Sequence, residues 1–268
     1  MNPPRGANAD RVADDLADDP ADGHFPESVA AGYDGDSGEH FSPAAIARTV
    51  DVLADLAGDG PALELAVGTG RIACPLARRG IPVHGIELSG AMAARIAGKP
   101  GSERVTVTLG DMTTTRVPGE FSLAYLVFNT IGNVTTQDGQ VGCFVNAAAH
   151  LRPGGLFVVE VGVPPLRRMP PGQDTVPFAV EPDGAGGGYV GFDRLDVVTQ
   201  RFTSNHVRVT PDGRGRFRSP PFRYVWPAEL DLMARIAGMR LVERWGGWDR
   251  SPFTAESTAH VSVWRTPG

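Results

Sequence analysis

The chain has 268 residues, 41% of them hydrophobic and 21% charged, with a formal net charge of −6; that composition belongs to a folded globular protein with ample core. The acidic balance argues against nucleic acid as a partner, because a phosphate backbone favours a basic face, and no apolar run approaches the roughly 18 residues of a membrane span. The first residues are acidic and polar rather than basic and then apolar, as a secretory signal would be. The two cysteines, Cys74 and Cys143, stand far apart in sequence and read as buried thiols rather than a disulfide or metal site, so a reducing, cytoplasmic setting is expected.

Residues 1–28 are rich in Asp, Ala and Pro without periodicity, and a disordered acidic tail is expected there. Residues 32–38 form a loop carrying Tyr33. Ser42-Pro43 supplies an N-cap and a proline at the first helical position, followed by the apolar stripe Ile46, Val50, Leu53 and Leu56, and residues 58–61 stop the helix. The apolar run from Ala62 to Val67 then reaches Gly68-Thr69-Gly70 and passes into helical spacing over 71–79, the pattern of a buried strand, tight turn and helix. Strands are expected at 81–87, 105–109, 121–128 and 156–161, with helices at 90–97 and 137–151. This alternation implies a parallel, doubly wound α/β sheet. After Pro164 the pattern changes to hairpin strands at 189–198, 201–210 and 216–225, an antiparallel cap. A helix from Pro227 and strands at 241–245 and 259–264 close the chain. The expected organisation is therefore a tail (1–28), an α/β core with an N-terminal lid helix (29–165), a β cap (166–225) and a C-terminal part completing the core sheet (226–268).

Four features fall beyond the carboxyl ends of successive strands, where open parallel sheets bind ligands. They are the Gly68/Gly70 turn, Glu87, Asp111-Met112 and the segment 128–133. Glycines at the turn allow φ > 0 and let a ligand lie on the backbone. Glu87 follows Gly70 at about the distance of an acid that grips a ribose diol, and a carboxylate accepts charge-assisted bonds from both hydroxyls. Singly, each signal is weak. Gly68-x-Gly70-x-x-Ala73 also fits an NAD(P)-dependent oxidoreductase, and a lone acid is most often a surface group or helix cap.

Together, residues 64–71 (ELAVGTGR), 85–89 (GIELS), 110–112 (GDM) and 151–155 (LRPGG) resemble the successive motifs of class I S-adenosylmethionine-dependent methyltransferases, over roughly Tyr33 to Trp264. The resemblance implies a Rossmann-like seven-stranded sheet of order 3-2-1-4-5-7-6 with the last strand antiparallel, carrying the inserted cap. S-adenosyl-L-methionine is the implied cofactor and S-adenosyl-L-homocysteine the product. By that resemblance Glu64, Gly68 and Gly70 line the methionine portion, Glu87 holds the ribose hydroxyls, Leu88 and Met112 flank the adenine, and Asp111 accepts from its amino group. Asn129 falls near the methionine amine and methyl group; Tyr33, Ala66, Arg71, Met92, Gly110, Phe128 and Asn133 complete the implied cofactor set. The chemistry agrees, since sulfonium and ammonium groups prefer carboxylates, whereas a diphosphate prefers bare N–H groups at a helix start.

Methyl transfer is an in-line displacement that needs a base only if the nucleophile must lose a proton. Tyr33, His206 and Tyr224 are the catalytic candidates, with Asp249 a further acid–base group. No metal is expected. Arg223 could hold an acidic or carbonyl-bearing substrate, although a surface salt bridge is the simpler reading. Trp226, Trp245 and Trp248 pack a core more often than they stack a substrate. The second half also resembles natural-product tailoring methyltransferases, at residues 222–227 and 245–254; an aromatic or heteroaromatic acceptor is the working hypothesis, with C-, N- and O-methylation all open. Some relatives acting on amino sugars carry a histidine within the segment matching 128–133, where this chain has Asn133, which argues against an amino-sugar acceptor. A nucleic-acid methyltransferase is disfavoured by charge and by the lack of an Asn/Asp-Pro-Pro-Tyr/Phe motif after the fourth strand. The alternatives to a small-molecule methyltransferase are an oxidoreductase and a cofactor-binding protein without turnover. The insert could serve as a lid or as the face of a homodimer.

Overall fold

A computed structural model describes residues 25–35 and 41–268; residues 1–24 of the expected tail and 36–38 of the expected loop lie outside the described residues. The core strands are β1 (Ala62–Leu65), β2 (Val83–Glu87), β3 (Val105–Leu109), β4 (Phe121–Leu126) and β5 (Leu151–Gly162). The cap holds β6 (Thr175–Pro182), β7 (Gly188–Leu195), β8 (Arg201–Val209), β9 (Gly215–Arg218) and β10 (Pro221–Arg223), and β11 (Arg240–Trp245) and β12 (Ala259–Arg265) follow. The helices are α1 (Glu27–Tyr33), α2 (Pro43–Ala57), α3 (Ala73–Arg78), α4 (Gly90–Ala94), α5 (Gln137–His150) and α6 (Pro227–Ile236).

The seven-stranded sheet has the order β3-β2-β1-β4-β5-β12-β11, with β12 antiparallel to both its neighbours. Renumbered within that sheet, this is the 3-2-1-4-5-7-6 order expected. Alternation along β4 shows why the sheet is covered on both sides: Leu123 and Tyr125 pack in the core under α2 and α3, whereas Ala124 and Leu126 join the core of α5 and α6. All four residues of β1 are buried, which explains its nearly continuous apolar sequence. The Ser42 hydroxyl accepts the Ala45 N–H at 3.2 Å and so caps α2.

Four expectations about elements are corrected. The segment expected to be tail and loop contains α1, and the Pro-rich stretch after Pro164 contains β6, so the cap sheet is five-stranded, β10-β8-β7-β6 with β9 on β8. Strand β4 ends at Leu126 rather than 128, because Phe128 and Asn129 turn into the left-handed region at φ 57° and 58°. The Pro153-Gly154-Gly155 break belongs to β5, where the Gly154 N–H is held by the Pro267 carbonyl at 2.9 Å.

A buried polar network joins cap to core. Arg223, 4% exposed, donates to Gln140 on α5, to Gln200 at 3.1 Å and to Glu229 on α6 at 2.6 Å. Gln200 and Gln137 also donate to Glu229, at 2.9 and 3.0 Å. The simpler reading of Arg223 as a salt bridge at the surface is thus corrected: the ion pair with Glu229 exists, but the guanidinium is enclosed. Among the described residues no helix is long and apolar enough to cross a membrane.

Candidate active site

The turn after β1 is built by backbone that side chains would obstruct. Gly68 and Gly70 have φ of 57° and 77°, and a Cβ at Gly70 would lie 2.9 Å from Cys74 Sγ. At Gly68 the nearest atom to such a Cβ is the Met92 methyl at 3.5 Å, so the glycine leaves open space above the chain. Ala66 is also left-handed, at φ 59°, a conformation that is uncommon outside glycine and clusters at ligand sites. The turn's N–H groups are largely committed: Val67 to the Ile86 carbonyl, Gly70 to the Val67 carbonyl, and Gly68 to Glu87.

Glu87 ends β2 with its carboxylate 6% exposed, one oxygen accepting the Gly68 N–H at 2.7 Å and the other the Ser89 N–H at 2.9 Å. These two bonds fix the carboxylate at the end of β2, facing the turn. Glu64 lies beneath the turn, 3% exposed, and accepts from the Tyr125 hydroxyl at 2.9 Å. Burial pushes the Glu64 carboxyl up to about 8, against the lowering effects of Tyr125 and the nearby Arg71 guanidinium. Two acidic side chains and largely committed N–H groups supply acceptors rather than donors, which fits a nucleoside bearing hydroxyls and positive charge and does not fit a diphosphate.

Around this centre, Leu88 is 44% exposed at the sheet edge, and Met92 is buried under the turn. Gly110 donates its N–H to the Glu87 carbonyl at 2.8 Å, which ties the β3 loop to β2. Asp111 is exposed and accepts the Thr113 N–H at 2.8 Å, and Met112 packs against the core of α5. Asn133, at the end of the short 3-10 turn Thr130–Asn133, is exposed.

The corner between β4 and β5 contains a residue that the sequence reading missed. Glu160 accepts the Phe128 N–H at 2.8 Å through its carboxylate and the Asn129 N–H at 3.3 Å through its main-chain carbonyl. The Asn129 side chain accepts the Gly162 N–H at 2.5 Å. Two consecutive left-handed residues are thereby held from β5. The Arg71 guanidinium sits between rings, 4.9 Å from the centre of Phe41 and 5.0 Å from that of Phe128. Beside them a cavity of about 470 Å³ is lined by α2, the turn after β1, Phe128, Glu160 and the 246–251 loop including Trp248 and Asp249. A lone acid in the otherwise apolar run Phe157-Val158-Val159-Glu160-Val161 was the signal that could have revealed Glu160.

Helix α1 lies against this turn. Asp34 accepts from the Thr69 hydroxyl at 2.5 Å and pairs with Lys99, Glu27 pairs with Arg95, and the Phe25 carbonyl accepts from Ser89 Oγ at 2.7 Å. Tyr33 meets Phe25 and Phe41 edge to face, with ring centres 6.3 and 5.4 Å apart. His206 lies on the cap sheet, with Nδ1 2.7 Å from the Tyr189 hydroxyl. Tyr224 is 8% exposed in the small cap cluster with Val176 and Leu195, and burial pushes its phenol up. The three catalytic candidates thus sit on different elements. Trp226 stacks its edge on Tyr224, and Trp245 packs in the core under Arg250.

Residues 62–155 match the family model described as a methyltransferase domain. A solved methyltransferase of Streptomyces caelestis, CcbJ, is 34% identical with a TM-score of 0.80, over 90% of this chain and 96% of that one. The chain belongs to the class I S-adenosylmethionine-dependent methyltransferases. S-adenosylmethionine is its cofactor, and the oxidoreductase alternative falls away. The methyltransferase is also 25% identical over 208 residues to the cypemycin N-terminal methyltransferase of a Streptomyces species, covering 75% of this chain and 81% of that protein. At 20% identity it shares its fold with the S-adenosylmethionine-bound amino pentose methyltransferase CalS10 of Micromonospora echinaspora, with a TM-score of 0.62 over 89% and 97% of the two chains.

Proposed function

We propose that this methyltransferase transfers its methyl group to a nitrogen of a small, natural-product-like acceptor. The observation that carries the reading is the buried Glu87 carboxylate fixed beside the open Gly68 backbone. Glu87 holds the ribose hydroxyls in this reading, and Leu88, Met92, Gly110 and Met112 surround the adenine, with Asp111 accepting from its amino group. Glu64, Ala66, Gly68 and Gly70 form the methionine end, and Tyr33, Arg71, Phe128, Asn129 and Asn133 close the methyl side. Nitrogen is favoured because one relative is named for a peptide N-terminus; the aromatic walls of the cavity suit an acceptor with ring character.

The bound cofactor supplies an electrophilic methyl carbon on a sulfonium. The protein's contribution is alignment, for which about 7–11 kcal/mol is available from orientation and avoided solvent reorganisation. A neutral amine attacks without prior deprotonation, so a base acts only on the proton left afterwards. In this reading Tyr33 is the candidate to take that proton; its ring packs edge to face on Phe41, next to Arg71 and Phe128. Tyr224, with a phenol pushed up by burial, is poorly suited to take it, and His206 serves the cap through Tyr189.

The test is incorporation of tritiated methyl from S-adenosylmethionine into a panel of primary and secondary amines, with cofactor binding followed by calorimetry. Micromolar cofactor binding with label in amines is expected. Tight binding without label in any acceptor would identify a cofactor-binding protein without turnover, and label only in hydroxyl or carbon acceptors would overturn the nitrogen assignment.

A further inference from the structure

The cavity beside the β4–β5 corner has features beyond those a methyl-donor site requires. Its volume of about 470 Å³ lies in the range of small-molecule pockets. Arg71, Ile72 and Phe128 in its wall follow the cofactor turn and β4, so it opens next to the methyl side. Its wall is aromatic and aliphatic at Ile72, Val127, Phe128 and Trp248.

Glu160 is the carboxylate in that wall that is built into the core sheet. It projects from a central strand, half-buried. One oxygen is fixed by the Phe128 N–H at 2.8 Å, and the other makes no hydrogen bond among the described residues. The second carboxylate, Asp249, is exposed on the loop and folds back to accept the Ser251 N–H at 3.0 Å. Holding the left-handed Phe128 requires an acceptor at Glu160 but not a charge; an amide oxygen would serve. Arg48 and Arg71 also line the cavity and, with Asp249, balance its charge overall; what the fold leaves open is the second Glu160 oxygen, which faces no hydrogen-bond donor among the described residues.

We propose that this cavity receives the acceptor and that the Glu160 carboxylate recognises its basic amine. This rests on the methyl-transfer reading above. A basic amine that arrives as its ammonium first gives one proton to water; the freed lone pair then forms the new nitrogen–carbon bond while the carbon–sulfur bond breaks and its electron pair stays on sulfur. Positive charge leaves sulfur and appears on nitrogen, and the extra proton on nitrogen then passes to Glu160 or to water. A fixed carboxylate beside that nitrogen stabilises the charge as it arrives, more strongly in the transition state than with the neutral amine. It also orients the lone pair by accepting an amine N–H. The substrate class is a ring-bearing primary or secondary amine.

The experiment compares matched probes, piperidine-bearing fragments and their tetrahydropyran isosteres, binding to the full chain saturated with S-adenosylhomocysteine. Titration calorimetry on the wild type is expected to give at least tenfold tighter binding of the amine member. Glu160→Gln, which keeps an acceptor for the Phe128 N–H, should reduce that preference below threefold while cofactor affinity stays within threefold; Glu160→Asp should retain it. Equal affinity for both members in the wild type, no measurable binding of either, or a preference that survives in Glu160→Gln would overturn the assignment. If Glu160→Gln fails to fold, the wild-type preference and its retention in Glu160→Asp decide, and loss in Glu160→Asp overturns it. Failure of the wild type to bind S-adenosylhomocysteine would instead remove the methyl-donor assignment itself.

Discussion

Glu87 combines two roles that the sequence presents as one. Its position after the second strand is legible from spacing, but its bonds to the Gly68 and Ser89 N–H groups appear only in three dimensions. Truncation to Ala would leave both donors unpaired in a buried site, at about 1–3 kcal/mol each, and would confuse stability with binding. Glu87→Gln separates them: cofactor affinity should fall about 10–100-fold by calorimetry, with a melting temperature much nearer wild type than that of Glu87→Ala. At Glu64 burial raises the pKa to about 8, so the free protein carries the neutral acid through the neutral range. A cationic ligand beside it favours the ionised form and must displace the proton. Cofactor affinity should therefore rise with pH from 6 to 8, and this slope should disappear in Glu64→Gln. For stability the sign is opposite, because the native state keeps a proton that the unfolded state loses near 4.5. The native state is thus penalised increasingly as pH rises from about 4.5 to 8, and Glu64→Gln should gain melting temperature over wild type across that window.

At the level of elements, the strand–helix alternation gave the core without ambiguity, since β1, β4 and β5 are apolar on both faces and the helices carry one apolar side. The misses have a common cause. Helix α1 is seven residues long and buries only Ala30, so it has little periodicity to display; it is held by Asp34, Glu27 and Phe25 contacts to residues distant in sequence. Strand β6 lies between prolines and is mostly exposed, so it lacks the alternation of a half-buried strand. The Arg223 network is equally invisible locally, as Gln140, Gln200 and Glu229 come from three elements. Removing the cation leaves the half-buried Glu229 with only its Gln200 and Gln137 donors, and breaking such an ion pair costs up to about 3–5 kcal/mol. Arg223→Met should lower the melting temperature by roughly 10 °C for a chain of this size, measurable by calorimetry.

For the whole molecule, the cofactor site as proposed draws on the turn after β1, the ends of β2 and β3, and the β4–β5 corner, so ligand binding should stabilise the core as a unit. At a hundredfold excess over Kd the linkage amounts to about 2.7 kcal/mol, or an increase of roughly 5–10 °C in melting temperature. S-adenosylmethionine and S-adenosylhomocysteine should both produce it in thermal-shift measurements, and NADH should not. A comparable shift with NADH would contradict the cofactor set drawn from Glu64 and Glu87.

By itself the sequence determined the parallel core and the placing of Gly68, Gly70 and Glu87 after its first two strands, because these depend on short-range patterns: apolar runs, glycine turns and acids that follow strands. Tertiary structure alone decided how Glu87 is anchored, that Glu64 is buried enough to stay protonated, and that Arg223 joins cap to core. It also decided that Glu160, one acid in an apolar strand, faces the cavity beside Phe128. Those properties arise from groups far apart in the chain sharing a low-dielectric space, and no local pattern encodes that sharing.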